Sequence, residues 1–143
     1  MTKANYLWWN IYMEGTMMKK NEKQISIAKQ LAKMLMLHRM WYGKNQQSIA
    51  DIIGVTFQQY QKIEKCENRM FAHQLLEICK TNNWDIDVIA NGDPYVTLDE
   101  WSRNRNRAEA SGINNTDANI LNKFNKIDER AYKNYFKLTQ NNS

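Results

Sequence analysis

The chain has 143 residues, a formal net charge of +5, 43% hydrophobic and 11% aromatic residues, one Pro and five Gly. That length fits one domain, or one small domain with an extension, and the hydrophobic content is too high for a disordered chain. The longest apolar runs fall far short of the roughly 18 residues of a transmembrane helix, the two cysteines, Cys66 and Cys79, are too few for a disulfide framework or a four-ligand zinc site, and with only His38 and His73 beside them no metal chemistry is expected.

Taken in chain order, residues 1–18 are aromatic and nearly uncharged, and Gly15-Thr16 separates them from a strongly basic block. They lack the ordered features of a secretory signal. They read as a poorly ordered arm, or as a segment that packs on a partner through Trp8, Trp9 and Tyr12. From Ile27 the spacing turns helical, with Ile27, Leu31, Met34, Leu35 and His38 on one face. Gly43-Lys44-Asn45 ends that helix, and Asn45 caps a second over Gln46 to Ile53, with Ile49, Ala50 and Ile53 inward. Gly54 supplies a turn, and Thr56 caps a third helix from Phe57 to about Lys65, with Tyr60, Ile63 and Glu64 directed inward or along its edge. A fourth helix, about Ala72 to Thr81, sets Ala72, Leu75, Leu76 and Cys79 on one side. Asp85 caps a short fifth helix carrying Ile86, Val88 and Ile89.

The only Pro falls in Asn91-Gly92-Asp93-Pro94, a linker signal. Residues 93–116 therefore read as a linker, with Leu98 and Trp101 as anchors. Helical spacing returns over 117–140 through Ile120, Leu121, Phe124 and Ile127, breaks at Asp128-Glu129, and resumes with Tyr132, Tyr135, Phe136 and Leu138. That apolar face has too little chain to bury itself; packing on its own domain or on a second subunit would cover it. The expected layout is an all-α fold: arm 1–18, five-helix unit 19–92, linker 93–116 and C-terminal helical segment 117–140, a candidate for dimerisation.

The positive charge is uneven. Residues 19–80 hold eleven Lys/Arg against five Asp/Glu, net +6, whereas residues 81–94 carry Asp85, Asp87 and Asp93, net −3. Such a block attracts a polyanion, nucleic acid or an acidic membrane, or is an ordinary solvated face. Within it lie two short helices around a glycine turn, with small Ala50 at the crossing and Val55 in the angle. This is the spacing of a helix-turn-helix, part of which a generic helical hairpin also satisfies.

The run GVTFQQYQKIEKCENR, residues 54–69, resembles the lambda-repressor-like (XRE) family of helix-turn-helix transcriptional regulators, closest to the bacterial subgroup reading GVTFQQ-x-QK-x-EKG-x-NR. QQSIADIIG, LLEICK and the C-terminal NILNKFNKIDER are similar to flanking features of that subgroup. The resemblance covers residues 24–90 well, 117–139 loosely and 1–18 not at all. The sequence departs from it at Cys66, where the family has Gly closing the recognition helix, and around Met70 and Phe71.

The resemblance implies a five-helix lambda-repressor-like domain with a C-terminal helical extension. It implies further that the domain would bind double-stranded DNA as a homodimer on a palindromic operator, with recognition helices about 34–36 Å apart. Thr56, Phe57, Gln58, Gln59 and Lys62 would face the bases of the major groove. There Gln58 can read adenine, Lys62 guanine, and Phe57 a thymine methyl. Gln46, Lys44, Gln61, Lys65, Asn68 and Arg69 would meet the backbone. Phe57 could instead be core, and Glu64 is expected to be structural, paired with Arg39. Cys79 is expected in the core, and His38 and His73 at the surface or an edge. No cofactor or metal and no catalysis are expected, since no Ser/His/Asp or Cys/His set stands at useful spacing. The expected setting is the cytoplasm, bacterial or phage-encoded and nucleoid-associated when bound, with no membrane partner. The alternative is an antitoxin or other protein-interaction module on the same fold, using the N-terminal arm or C-terminal helices.

Overall fold

A computed structural model describes the backbone of residues 3–109 and 115–141, and the side chains of residues 22–105 and 116–131. Those residues form seven helices and no strand: α1 Lys3–Trp41, α2 Gln46–Ile53, α3 Phe57–Glu64, α4 Ala72–Asn82, α5 Ile86–Asn91, α6 Pro94–Glu109 and α7 Asn115–Asn141. The chain is all-α.

α1 is the axis of the fold. It runs 39 residues without a break, about 58 Å at 1.5 Å per residue. Gly15 does not separate an arm from a helix: one glycine costs a helix roughly 1 kcal/mol relative to alanine, too little to stop a long one. Residues 32–39 are buried consecutively, on every side of the helix. The expected one-face stripe is thus too narrow. Lys33, Met36, Leu37 and Arg39 are also inside, while Ile27 is 48% exposed. A helix buried all round needs neighbours on all sides, and α1 has them.

Two apolar clusters meet on it. Leu35 joins Ile49 and Ala50 of α2, Tyr60 of α3 and Ile78 of α4. Met34, Met36 and Leu37 join Leu75 and Cys79 of α4, Ile89 of α5, Leu98 of α6, and Ile120, Phe124 and Ile127 of α7. On α4 the inward residues are Leu75, Ile78 and Cys79; Ala72 and Leu76, expected inward, are exposed. Leu121 likewise points outward.

The expected linker 93–116 is largely helix. Pro94 is its first residue, where the missing N–H has no intrahelical partner to lose and the fixed φ suits a helix start. Asp93 Oδ1 accepts from the N–H groups of Tyr95 and Val96 at 2.9 and 3.0 Å, completing the cap. Leu98 is buried and Trp101 half-buried, as anchors should be. α7 also passes straight through Asp128-Glu129. Asp128 does not stop it, because its carboxylate reaches sideways to Lys33 Nζ at 2.7 Å, Lys29 Nζ at 3.3 Å and the Tyr95 hydroxyl at 3.1 Å. Burial alone would raise the Asp128 carboxyl, but the bonds from Lys33, Lys29 and Tyr95 hold it below its ordinary value. The side chains of Tyr132, Tyr135, Phe136 and Leu138, and those of Trp8, Trp9 and Tyr12, lie outside the described residues.

His38 is not at an edge. It is 3% exposed, its Nδ1–H donates to the Met34 carbonyl at 2.7 Å, and its ring sits 4.9 Å from Trp101 and 5.4 Å from Trp84. Desolvation lowers its pKa, outweighing the Met34 bond and the charge of Asp85. His73 is exposed, stacked on Phe71.

Candidate nucleic-acid interface

Helix ends place the candidate residues. α1, α2, α3 and α4 are each followed or closed by a residue in the left-handed region: Gly43, Gly54, Cys66 and Asn83. In each case the next N–H turns back into the helix: Lys44 to Arg39, Val55 to Ala50, Glu67 to Lys62 and Trp84 to Cys79. This is the Schellman closure, for which Gly is the preferred residue and Asn tolerable. Cys66, at φ 62°, carries a side chain where none is favoured. That explains geometrically why a glycine would suit the position.

Between α2 and α3 the turn is Gly54-Val55-Thr56. Gly54 leaves α2 at φ 68°. Asn45 starts α2 by accepting from Ser48 N at 2.7 Å. Thr56 starts α3 with a reciprocal box: its hydroxyl accepts from Gln59 N at 3.1 Å, and Gln59 Oε1 accepts from Thr56 N at 2.8 Å. These two caps fix where each short helix begins, hence which residues point outward.

On α3 the inner side is Tyr60, Ile63 and Glu64, all buried. The outer side is Thr56, Gln58, Gln59 and Lys62, all four exposed. Gln58 and Lys62 make no side-chain hydrogen bond or ion pair to any described residue, so both can meet an incoming partner at no internal loss. Gln59 has only its amide N–H groups open, since its oxygen closes the cap. Phe57 is half-buried and belongs to neither apolar cluster.

The six candidate backbone contacts divide in two. Lys44, Asn68 and Arg69 are exposed, and Lys65 is half-exposed; three of the four are cations, on the turns that flank α2 and α3. Gln46 and Gln61 are instead drawn together. Gln61 Nε2 donates to Gln46 Oε1, and Gln46 Nε2 donates to Glu64 Oε1, both at 3.3 Å. Gln46 keeps one amide N–H for a phosphate. Beneath them Arg39 grips Glu64 with two bonds, Nε to Oε2 at 2.9 Å and Nη2 to Oε1 at 2.5 Å. Its Nη1 donates to the Lys44 carbonyl at 3.0 Å. The expected Arg39–Glu64 pair is present, and both partners are buried. It neutralises the carboxylate that would otherwise repel a polyanion, and ties the ends of α1, α2 and α3 together. Sequence reasoning missed the link from Glu64 to Gln46 and Gln61, which needs three helices in place. The Tyr60 hydroxyl, buried beside this pair, has no well-formed hydrogen bond among the described residues; burial first and the Glu64 charge second push its pKa up.

A shallow groove of about 380 Å³ lies elsewhere, between α1 and the α5–α6 turn, lined by Lys29, Gln30, Lys33, Gly92 and Tyr95. Its lysines are committed to Asp128. Among the described residues no three His, Cys, Asp or Glu side chains gather as a metal site, and no helix is long and apolar enough to cross a membrane. No protein-family model, curated protein or solved structure matches the chain.

Proposed function

We propose that the chain is a lambda-repressor-like (XRE-type) helix-turn-helix regulator that binds double-stranded DNA sequence-specifically. It acts as a homodimer on a palindromic operator and represses by occupancy. The observation that carries this reading is the outer side of α3. Thr56, Gln58, Gln59 and Lys62 form an outward polar row, on a short helix whose opposite side is locked into the core by Tyr60 and Ile63. Glutamine and lysine are side chains suited to adenine and guanine edges, and a helix carrying them outward fits the major groove. Lys44, Lys65, Asn68 and Arg69 supply the phosphate-facing surround, and Gln46 a further N–H at the start of α2.

Selection from random duplexes followed by gel shift tests the reading. Gln58→Ala and Lys62→Ala should each cost about 1–3 kcal/mol on the selected site and relax one base position, while Arg69→Ala should weaken all sequences alike. If both α3 variants bind the selected site as the parent does, the base-reading role is wrong. A protein-interaction module is the second reading, favoured by the apolar side chains presented to solvent at and along α4, Phe71 at 67% and Leu76 at 43% exposure. It predicts no selected site.

A further inference from the structure

The charges of α7 are sorted by side. Two of its carboxylates turn to neighbouring helices: Asp117 takes Arg105 of α6 at 2.6 Å, and Asp128 takes Lys29 and Lys33 of α1. Asn119, Lys123, Lys126 and Arg130 follow one another at spacings of four, three and four residues, which sets them on one strip of the helix. Asn119, Lys123 and Lys126 are exposed and Arg130 is half-exposed. The three cations make no ion pair among the described residues. Glu129 is exposed too, about a quarter-turn round from the strip.

Contacts with α1 place the strip. Arg39 holds α3, and Lys29, ten residues earlier and so about 80° round the helix, holds α7. α6 follows α7, touching Lys33 through Tyr95 and Trp41 through Trp101. Gln30 holds the end of α5 through the Ala90 and Gly92 carbonyls, about half a turn round from Arg39. α7 therefore lies between α3 and α6 around α1. Its side toward α6 carries Asp117, Phe124 and Asp128, so the strip, on the other flank, turns toward the α3 side. Burial raises the thiol of Cys66, just past α3, against the effect of the charges of Lys29 and Lys33. The turn that carries Asn68 and Arg69 thus begins beside the lysines that hold α7.

The far side of α1 is acidic. No Lys or Arg occurs between Lys80 and Arg103, and Asp85, Asp87, Asp93, Asp99 and Glu100 are all exposed there. A merely solvated surface mixes its signs; this one separates them across α1. Nor does the strip suit a membrane. A helix lying on lipid inserts its apolar side, and here Ile120, Phe124, Ile127 and Ala131 are each no more than 3% exposed, packed within their own chain.

We propose that the Asn119–Arg130 strip of α7 is a second DNA-contact surface, which grips phosphates of the duplex flanking the half-site read by α3. The contact is sequence-independent: Lys and Arg meet phosphates by charge, and Asn through its amide N–H. α3 and α7 both pack on α1, where helix axes lie about 8–10 Å apart, so their own axes stand about 10–15 Å from each other. That is about three or four base pairs along a duplex, beyond the bases under α3. The acidic α5–α6 side is repelled, which selects this orientation. The inference rests on the DNA-binding reading and extends it past α3.

Fluorescence anisotropy of the full chain on two duplexes tests it: the selected half-site alone, and the same half-site with about one DNA turn of random sequence on each side. The parent should bind the longer duplex more tightly, with a log–log salt slope steeper by about two to three. Lys123→Gln/Lys126→Gln/Arg130→Gln should abolish that difference, losing roughly tenfold or more on the longer duplex at low salt and matching the parent on the short one. Glu129→Lys should gain severalfold on the longer duplex, which damage to the fold would not produce. A triple variant equal to the parent on the longer duplex overturns the proposal. So does one weakened equally on both duplexes, or a Glu129→Lys variant that gains nothing. Cosedimentation of the parent with phosphatidylserine vesicles in preference to duplex, lost in the triple variant, overturns it in favour of a lipid surface. A parent that binds the short duplex and gains nothing from the flanks sinks this inference alone; one that binds neither duplex sinks the DNA reading with it.

Discussion

Arg39→Met isolates what the buried pair contributes. Arg39 and Glu64 are 6% and 4% exposed and joined by two charge-assisted bonds. Removing the guanidinium leaves a carboxylate in the core with only the 3.3 Å bond from Gln46. Breaking a buried pair in this way costs about 3–5 kcal/mol, a large part of the roughly 5–15 kcal/mol that holds a typical domain folded. Removing both charges should cost far less, because apolar residues of similar volume replace a buried pair at little or no loss. Arg39→Met/Glu64→Leu forfeits mainly the bond to the Lys44 carbonyl, about 1 kcal/mol. Urea unfolding followed by far-UV circular dichroism should therefore place the double variant within about 1–2 kcal/mol of the parent, and the Arg39→Met single well below both. If the proposed DNA role holds, the double variant should also bind every DNA sequence more weakly, since Gln46 loses the carboxylate that holds it and Gln61 is held through Gln46. A single variant close to the parent, or a double variant as unstable as the sum of its parts, would refute this account of the pair.

Gly92→Ala should destabilise by about 1–3 kcal/mol in the same assay, because a Cβ there presses on the Val88 carbonyl oxygen and stands 2.9 Å from Met34 Cε; an unchanged midpoint would show that the α5–α6 turn yields. Cys66→Gly should raise stability by up to about 1 kcal/mol, relief of a left-handed non-glycine residue less the packing of the half-buried thiol; a loss would mean that the thiol matters more than the strain. His38 binds its proton less readily folded than unfolded. Its contribution to stability is thus complete above its ordinary value of about 6.5 and is lost as pH falls through the lowered folded value. Unfolding free energy measured against pH should decline on the acid side with a slope of at most about 1.4 kcal/mol per unit for this one group, and His38→Phe should flatten that portion.

The short helices were legible because their ends are written locally. Asn45, Gly54, Thr56 and Asp85 each act within a few residues, through caps and turns that need no distant partner. α6 was hidden by its Pro, which breaks a helix from within but begins one when an Asp precedes it. The fate of the α7 face could not be read, since periodicity shows that a face must be covered and not by what. Lys33 and Asp128 are 95 positions apart in sequence. His38 failed for the same reason: nothing near it in sequence announces Trp84 and Trp101. At the candidate interface, the Thr56 cap and the inward Tyr60, Ile63 and Glu64 were legible from spacing, whereas the outward row on α3 was named only through the family resemblance. The Gln46–Glu64–Gln61 link did not, because it exists only once α1, α2 and α3 meet.

Affinity for a selected duplex as a function of salt, read by fluorescence anisotropy, tests the central claim most directly. In the proposed complex Lys44, Lys62, Lys65 and Arg69 would supply four cations per half-site. The logarithm of the binding constant should then fall linearly with the logarithm of salt concentration, with a slope of about −4 for one half-site and about −7 for two. Arg69→Ala should reduce that slope by about one per half-site, and Gln58→Ala should lower affinity with the slope unchanged. A flat salt dependence, or no binding even at low salt, would contradict DNA recognition by this helix.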